Sequence, residues 1–406
     1  MGDFPKLLVL GSSLPGGRDG GGVVRDVILR HYPRGRYICL AVNAADEGLK
    51  PGKVPESLRN VPSLTVALVP RPTFRGARFY LPCLRAWGLR VLAGRRIEQA
   101  VAFGKSHGVD LVWAELQGDT LAIAQEVAAG LKVPFVGTIW DDPEGWLADG
   151  AYDRFSRRFL QRRFREAVRG ARFLSTAGEA MQQVYEKEYG VKSVILRHGF
   201  AAPVVPQGPR LEQDGIIIGF VGNPYGRDAW EAFLAAVAGL NAQGTLPRIR
   251  LRVFGGNFPY QQDGVEIQVR GWQPAQLMLE EIAATDFCYL QYWFDPRKRR
   301  HAELSFPNKF ETYLAAGRPV FFHGPAYAGI ARTVSQYGVG VCVHSLEEKE
   351  IAQTITRLIV DRPLRESFSR AALAAFQAEF NETRMMTNFA ELIGVDPVLF
   401  LRRLQE

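Results

Sequence analysis

Two glutamates and a lysine lie close together in HAELSFPNKFETYLAAGRPVFFHG, residues 301–324. Pro307 suits the first turn of a helix, where its missing N–H costs nothing. We therefore expect Glu303 in the loop before this helix and Glu311 just over one turn into it. Free N–H groups and the helix dipole favour phosphate at a helix N-terminus, and Lys309 adds a cation in the same turn. The pattern predicts a site for a ligand that carries phosphate.

A second signal of this kind opens the chain. The apolar run Leu7–Leu10 predicts a buried strand, and GSSLPGGRDGGGVVRDVILRHYP, residues 11–33, continues as a turn with six glycines and an amphipathic helix. Gly21 and Gly22 let a backbone approach a ligand closely. A site for NAD would need G-x-G-x-x-G and an acidic residue about 20 positions further on, and neither is present in that form.

Length and charge suggest two domains with different tasks. A chain of 406 residues is too long for one ordinary core. Residues 1–200 hold 29 Lys and Arg against 20 Asp and Glu, whereas residues 201–406 hold 21 against 22. The basic character therefore belongs to the first half, which we expect to face something anionic.

Strands and helices alternate through the first half, which predicts a parallel sheet covered on both faces. A stretch with three prolines and no periodicity, residues 198–214, predicts a linker between domains. The predicted strands are Leu7–Leu10, Tyr37–Val42, Leu64–Val69, Leu111–Trp113, Phe135–Ile139 and Phe173–Ser175, and the predicted helices lie near 21–31, 78–107, 119–130, 152–169 and 178–189.

The same alternation begins again after the linker. IIIGFVGNP, IRLRVFGGN, VEIQVRGW, FCYLQYW, PVFFHG and VGVCVHS predict strands, with helices between most of them. We predict a first domain over 1–197, a second over 215–384, and a helical segment over 385–406 that packs back on the first domain. The fold class is α/β, with two doubly wound, Rossmann-like domains facing a cleft.

The spacing E-x7-E before a helix that ends in YLAAGRPV resembles the donor-site motif of GT-B glycosyltransferases, especially the retaining enzymes of glycosyltransferase family 4. Three further stretches resemble that family in the same order. They are IGFVGN…GRDAW, VRGWQPAQLMLEEIAATDFCYLQY and ARFLSTAGEAMQQVYEKEYGVKSVILRHGF. The resemblance covers nearly the whole chain and implies an enzyme that moves a sugar from a nucleotide diphosphate sugar to an acceptor hydroxyl.

The resemblance also implies roles for single residues. Glu311 would bind the ribose hydroxyls and Glu303 the donor sugar, while Arg227 and Lys309 would neutralise the diphosphate leaving group. Such fixed cations stabilise the charge that develops in the reaction without reorganisation. It implies no metal ion and no cofactor besides the donor substrate. The remaining implied donor contacts are the amides near Ser305 and Phe306, the base-holding Gly271 and Trp272, the loop residue Asn223, and Gly21 and Gly22 from the first domain.

Two departures from the family pattern bear on the mechanism. Trp140 stands where the family often has the histidine of a His-Asp pair, and the usual Arg and Lys after FVG are reduced to Asn223 and Arg227. We expect retention of configuration. If the reaction instead inverts the configuration it needs a general base, for which Asp19, Asp141 and Asp142 are candidates. Asp142 could equally cap the helix predicted near residue 152.

Two arginine-rich stretches carry the basic charge, residues 71–97 and 152–172. They are either solvated helix faces or a surface for an anionic membrane, and a lipid-linked or polyanionic acceptor fits equally well. Nucleic acid is the third option, although no nucleic-acid module is recognisable.

We expect a cytoplasmic enzyme, peripheral at the inner face of a membrane, in a pathway for surface polysaccharide or glycolipid. No apolar run reaches the roughly 18 residues of a spanning helix. The four cysteines are scattered singly, which argues against a zinc site. The alternatives are a nucleotide-sugar epimerase on the same fold, a NAD-dependent oxidoreductase, and a non-catalytic protein that binds nucleotides or membranes.

Overall fold

The computed structural model describes residues 4–16, 20–42, 55–68, 89, 91, 93–149, 152–204, 215–255 and 258–405. The chain divides into two compact units. The first unit comprises Met1–Arg197 together with Met385–Glu406, and the second comprises His198–Arg384.

The first unit is built on a seven-stranded sheet. Its strand order is β3-β2-β1-β4-β5-β6-β7, and neighbouring strands run parallel. Its strands are β1 Leu7–Gly11, β2 Tyr37–Val42, β3 Ser63–Val66, β4 Leu111–Glu115, β5 Phe135–Ile139, β6 Phe173–Thr176 and β7 Ser193–Ile195. Its helices are α1 Gly20–Arg30, α2 Ala93–Ser106, α3 Ala124–Leu131, α4 Pro143–Asp149, α5 Arg154–Gly170 and α6 Glu179–Tyr189, with short 3₁₀ turns at Glu56–Leu58 and Gly118–Ala122.

The second unit is built on a six-stranded parallel sheet of order β10-β9-β8-β11-β12-β13. Its strands are β8 Ile216–Val221, β9 Ile249–Phe254, β10 Glu266–Gly271, β11 Phe287–Gln291, β12 Val320–His323 and β13 Gly340–Val343. Its helices are α7 Arg227–Gln243, α8 Ala275–Ala283, α9 Arg299–Leu304, α10 Lys309–Ala315, α11 Gly329–Tyr337, α12 Glu348–Val360 and α13 Arg362–Glu379, with a 3₁₀ turn at Pro296–Lys298.

Two final helices, α14 Glu382–Ile393 and α15 Pro397–Arg403, contribute to the core of the first unit. The ring of Phe389 lies 4.6 Å from that of Trp113 on β4. The ring of Phe400 lies 4.9 Å from that of Phe4. An apolar face on each helix is buried in this way, so the end of the chain completes the core that its beginning starts.

Both sheets confirm the predicted doubly wound α/β class. Strands such as β1 and β5 are buried along their whole length, as near-continuous apolar runs require when helices cover both faces. In each sheet the strand order reverses beside the first strand, between β1 and β4 and between β8 and β11. Ligands of such sheets bind outside the carboxyl ends of the strands at this switch point.

The helix predicted over 152–169 is α5. A further helix, α4, begins before it at Pro143, in keeping with the preference of proline for the first helical turn. One prediction needs correction, because the loop expected at Glu303 is the short helix α9. It follows a 3₁₀ turn in which Asp295 accepts a hydrogen bond from the N–H of Arg297 and Pro296 takes the first position.

Candidate functional site

The loop after β8 lies at the switch point of the second sheet. Gln291, the last residue of β11, accepts a hydrogen bond from the N–H of Gly226 at 2.9 Å through its side-chain oxygen. This contact fastens the start of α7 to the neighbouring strand. Gln291 itself is fully buried, and its Nε2 has no hydrogen-bond partner within the described residues. The geometry therefore gathers polar groups where an open parallel sheet binds ligands.

Lys309 brings a buried cation to this loop. Its Nζ donates to the Asn223 carbonyl at 3.0 Å and lies 4.4 Å from the ring of Phe220 and 4.0 Å from that of Tyr225. The residue is only 6% exposed, and its desolvation lowers the pKa of the ammonium to about 7. An anion that reached this loop would interact strongly with Lys309, because little water screens the charge.

Glu311 follows on the same helix and is fully buried. It is the third residue of α10 rather than just over one turn in, because the helix begins at Lys309, after Pro307. Two hydrogen bonds of the Tyr313 hydroxyl anchor this helix. The hydroxyl donates to the Tyr289 carbonyl at 2.9 Å and accepts from the Val221 N–H at 3.1 Å. The helix that carries the lysine and the glutamate is thus attached to β8 and β11.

Glu303 lies on α9 and not in a loop, so the two glutamates belong to different helices. Its carboxylate accepts a hydrogen bond at 2.8 Å from Arg299, whose guanidinium lies over the ring of Tyr327 at 4.6 Å. Both partners are partly exposed, so the pair itself contributes little stability. A ligand could displace it at small cost.

The amide of Ser305 does not fit its predicted role. Its N–H donates to the His301 carbonyl at 2.9 Å and closes the last turn of α9, so this donor is already used. The Ser305 hydroxyl donates to the hydroxyl of Tyr292 at 3.0 Å. Phe306 is buried, with its ring 5.6 Å from that of Phe310. We assign Ser305 to the segment between α9 and α10, whereas the role of the Phe306 amide stays a prediction.

Arg227 is the first residue of α7, directly after the candidate site's loop. Its guanidinium is 81% exposed and pairs with Glu231 one turn further on, at 2.6 Å. It lies at the predicted helix start, but the structure does not bring it into contact with Lys309. Asn223 is exposed, and it meets Lys309 through its backbone carbonyl.

Gly271 is the last residue of the edge strand β10, and Trp272 follows it. Gly271 has a φ of 70°, a conformation that suits glycine, and its carbonyl accepts from the N–H of Gly255 at 3.0 Å. The Trp272 side chain is 69% exposed. Such an aromatic face is available for stacking on a flat ring such as a nucleotide base.

In the first unit, Gly21 and Gly22 are buried in the first turn of α1. A Cβ on Gly21 would lie 2.6 Å from Trp140 Nε1 and 3.0 Å from Glu115 Oε1, so only glycine fits without displacement. Glu115 also forms a buried ion pair with Arg25 at 2.6 Å. Sequence reasoning missed Glu115. Its position at the end of β4 was the available signal, because strand ends of one parallel sheet share an edge.

Asp142 is a correction to the predicted catalytic set. Its Oδ2 accepts from the buried Tyr185 hydroxyl at 2.6 Å, and its Oδ1 accepts from the Glu144 N–H at 3.0 Å. Because both oxygens are occupied and the residue is 1% exposed, we assign Asp142 to the start of α4. Asp153, not Asp142, caps α5. Asp19 lies outside the described residues.

Three further expectations concern metal ions, membrane-spanning helices and cysteines. Within the described ranges no cluster of three or more His, Cys, Asp or Glu could hold a metal ion. No helix among the described residues has the length and apolar character to cross a membrane. Burial raises the pKa of Cys39 and of Cys288 to about 12, so these thiols are inert at neutral pH. Cys83 and most of the arginine-rich stretch 71–97 lie outside the described residues.

One family model matches part of the second unit. Residues 237–361 match the family model of the glucosyltransferase 3-like C-terminal domain. No curated protein sequence matches the chain.

Solved structures of similar fold cover nearly all of the chain. Anabaena Alr3699/HepE in complex with UDP is 16% identical with a TM-score of 0.65, over 96% of this chain and 99% of that one. Sucrose-phosphate synthase from Thermosynechococcus elongatus is 14% identical with a TM-score of 0.64, and the match covers 98% of this chain and 99% of that one. An Escherichia coli structure described as trehalose-6-phosphate bound with UDP-2-fluoro glucose is 12% identical with a TM-score of 0.61, and the match covers 96% of this chain and 99% of that one. The chain therefore has the fold of the GT-B glycosyltransferases.

Proposed function

We propose that this chain is a glycosyltransferase that moves a sugar from a nucleotide diphosphate sugar to a hydroxyl of a glycan, glycolipid or lipid-linked saccharide. The observation that carries the proposal is the buried Lys309 ammonium at the switch point of the second sheet, 3.0 Å from the Asn223 carbonyl. Supporting it, HepE of the same fold was crystallised with UDP and glucose. The family match over residues 237–361 includes Lys309 and both glutamates.

Lys309 would act on the leaving group. Breaking a bond between a sugar and a diphosphate develops negative charge on the diphosphate. A cation fixed in a dry site stabilises that charge without reorganising. Arg227, at the start of α7, would add a second, flexible cation, so that side chains rather than a metal ion neutralise the diphosphate.

The other donor contacts are proposed from the resemblance to the glycosyltransferases. Glu311 would bind the ribose hydroxyls, Glu303 the donor sugar after releasing Arg299, and Trp272 the base. We further propose retention of configuration, as in glycosyltransferase family 4. Determining the anomeric configuration of the product by NMR tests this, and an inverted product would contradict it.

Donor binding provides the direct test. Lys309→Met should weaken the affinity for UDP-glucose at pH 6 by roughly 30-fold, the equivalent of about 2 kcal/mol for a charge-assisted hydrogen bond. Glu311→Ala should weaken it as well. Titration calorimetry measures both effects, with the exposed Lys349→Met as the matched control.

Equal affinities of Lys309→Met, Lys349→Met and wild type would refute the assigned donor site. A panel of other nucleotide sugars would then show whether the base or sugar was the wrong choice. Conversion of a nucleotide sugar without any acceptor would instead favour an epimerase.

We also propose that the first unit contacts an anionic membrane at the inner face through α5. Arg154, Arg158, Arg165 and Arg169 repeat at helical spacing, are exposed, and form no ion pair within the described residues. Phe155 beside them is 63% exposed. A basic helix face with a protruding aromatic ring suits a surface of anionic headgroups.

A further inference from the structure

The strand β10 lies at one edge of the second sheet. It pairs with β9 on one side, and no strand of the described residues pairs with it on the other. Its register with β9 is regular from Glu266 to Val269 and shifts between Val269 and Gly271. Glu266 and Arg270 are exposed, and Val269 is 54% exposed. Such an edge presents backbone N–H and C=O groups with which another strand can pair.

The residues of β10 before its final glycine form a symmetrical pattern. They are, in order, Glu266, Ile267, Gln268, Val269 and Arg270. Gln268 is the centre, with one apolar side chain on each side of it and charges of opposite sign at the two ends. Proteins usually protect an exposed edge with lysine, proline or a covering segment. β10 contains neither lysine nor proline, and its two charges would attract a copy of the same strand.

The two charges lie on one face of the sheet, since both lie beside the arginines of β9. Glu266 contacts Arg250 at 3.2 Å. Arg270 contacts Glu281 of α8 at 3.1 Å, and Arg252 lies 4.0 Å from the same carboxylate. Arg250 and Arg252 are two positions apart on one strand and therefore share a face. The apolar residues between the two charges belong to the opposite face.

A second copy of β10, paired antiparallel about a twofold axis at Gln268, matches every position of this pattern. Glu266 then faces Arg270 of the other copy, and Ile267 faces Val269. The axis repeats each pair, so the contact holds two opposite-charge pairs and two apolar pairs, which are stabilising cross-strand neighbours. A shift of the register by one or two residues in either direction leaves both charges opposite uncharged residues.

The ion pairs within each chain are compatible with this contact. Glu266 already accepts a hydrogen bond from Gln268 at 2.7 Å besides its contact with Arg250. A carboxylate has about four acceptor sites and a guanidinium has five N–H donors, so a further partner does not require these pairs to break. Arg250, Glu266, the other copy's Arg270 and its Glu281 would then alternate in sign. Such a network stabilises more than isolated surface pairs do.

We propose that β10 is an interface between two copies of this chain, which joins their six-stranded sheets along this edge. A second copy is the occupant because the strand is complementary to itself in both charge and apolar side chains. The inference goes beyond the proposed function and depends on no residue of the donor site. An edge of five residues is small for an interface, so we expect a weak dimer.

Reversing one charge tests the pairing. Glu266→Arg puts like charges opposite each other at two places, and so does Arg270→Glu. Each variant alone should therefore dimerise more than tenfold more weakly than wild type. An equimolar mixture of the two variants should recover the dimer, because each chain supplies the sign that the other lacks. The matched controls are the exposed Glu391→Arg on α14 and Arg370→Glu on α13, which should dimerise as wild type.

Sedimentation velocity over about 1 to 100 µM covers the range of a weak interface. A dimer has twice the 45.2 kDa of one chain. Thermal melts verify that each variant folds. Amide hydrogen exchange of the wild type gives an independent measure, because exchange at residues 266–270 should slow as the concentration rises and the edge becomes paired.

The outcomes decide between this interface and its alternatives. Dimer recovery in the mixture, together with slower exchange in β10, supports the inference. A wild type that stays monomeric at the highest concentration overturns it, since the edge is then only solvated. A dimer that both variants retain overturns it as well, because the chains then meet through another surface. Variants that lose the dimer and do not recover it when mixed contradict the antiparallel register.

Discussion

At the scale of single residues, burial decides which charged groups can do chemistry here. Lys309, Glu115 and Asp142 are all nearly inaccessible, yet their surroundings differ. Two aromatic rings lie beside the Lys309 ammonium, Glu115 accepts three hydrogen bonds from Ser12 and Arg25, and both oxygens of Asp142 are used. Lys309 is therefore suited to a ligand and the two carboxylates to structure.

Lys309 makes stability depend on pH. Its pKa is about 7 in the folded protein against an ordinary 10.5, so between these values the unfolded chain binds more protons. The free energy of unfolding should then rise with pH across this window, with a slope of at most about 1.4 kcal/mol per pH unit. Lys309→Met should remove this slope and be the more stable protein at pH 6 to 7. Urea denaturation from pH 6 to 10 measures both effects, and parallel curves for the two proteins would contradict the assignment.

Asp142 provides the opposite case. Asp142→Ala removes the hydrogen bonds that Asp142 accepts from the Tyr185 hydroxyl and the Glu144 N–H, which should cost about 1–3 kcal/mol. Tyr185→Phe in the same background should recover part of that cost, because no buried hydroxyl then lacks a partner. A double-mutant cycle of thermal stability measures this coupling. A large loss of turnover in Asp142→Ala with unchanged stability would restore Asp142 as a catalytic candidate.

At the scale of elements, α5 separates its charges by face. Arg162 and Arg163 on its flank pair with acidic residues, Glu166 among them. Arg154, Arg158, Arg165 and Arg169 are left without such partners among the described residues. A solvated helix would gain from mixed charges on this face, so the excess suits an anionic surface.

Changing these four arginines to Gln should lower binding to vesicles that contain phosphatidylglycerol by more than tenfold, since each basic residue near such a surface contributes about 1 kcal/mol. Binding should also fall with salt. Vesicle sedimentation measures both. The control changes exposed arginines of the second unit, Arg332, Arg357 and Arg370, to Gln. Equal binding to neutral vesicles, or tighter binding to RNA than to vesicles, would reject the membrane assignment.

At the scale of the whole molecule, the two ends of the chain belong to the same unit. α14 and α15 follow the second unit, yet their rings complete the core around Phe4, Tyr32 and Trp113. The second unit is thus inserted between two parts of the first. The core of the first unit therefore includes residues from the last two helices of the chain.

Phe389→Ala should therefore destabilise the first unit by about 3–5 kcal/mol, the cost of deleting a buried aromatic ring. Calorimetry should show a lower melting temperature for the unfolding transition of the first unit. Because the two units have separate cores, the melting temperature of the second unit should change less. UDP affinity of the folded protein should persist. An unchanged melting profile would mean that α14 adds little to this core.

The sequence by itself determined the alternation of strands and helices. Apolar runs such as Leu7–Leu10 and Phe135–Ile139 lie in buried strands because only parallel sheets covered on both faces need continuous apolar segments. It also placed Glu311 and Lys309 on one helix, since local spacing decides that. It misplaced Glu303, because the turn that starts α9 depends on Asp295 and Pro296, a weak local signal.

Only the tertiary structure decided which side chains meet. Ser12 and Glu115 are 103 positions apart and Asn223 and Lys309 are 86 apart, so no local pattern pairs them. The order of the strands brings these ends to one edge, and burial then sets whether each group is used or left available. The pKa of Lys309 follows from that burial, which spacing along the chain does not encode.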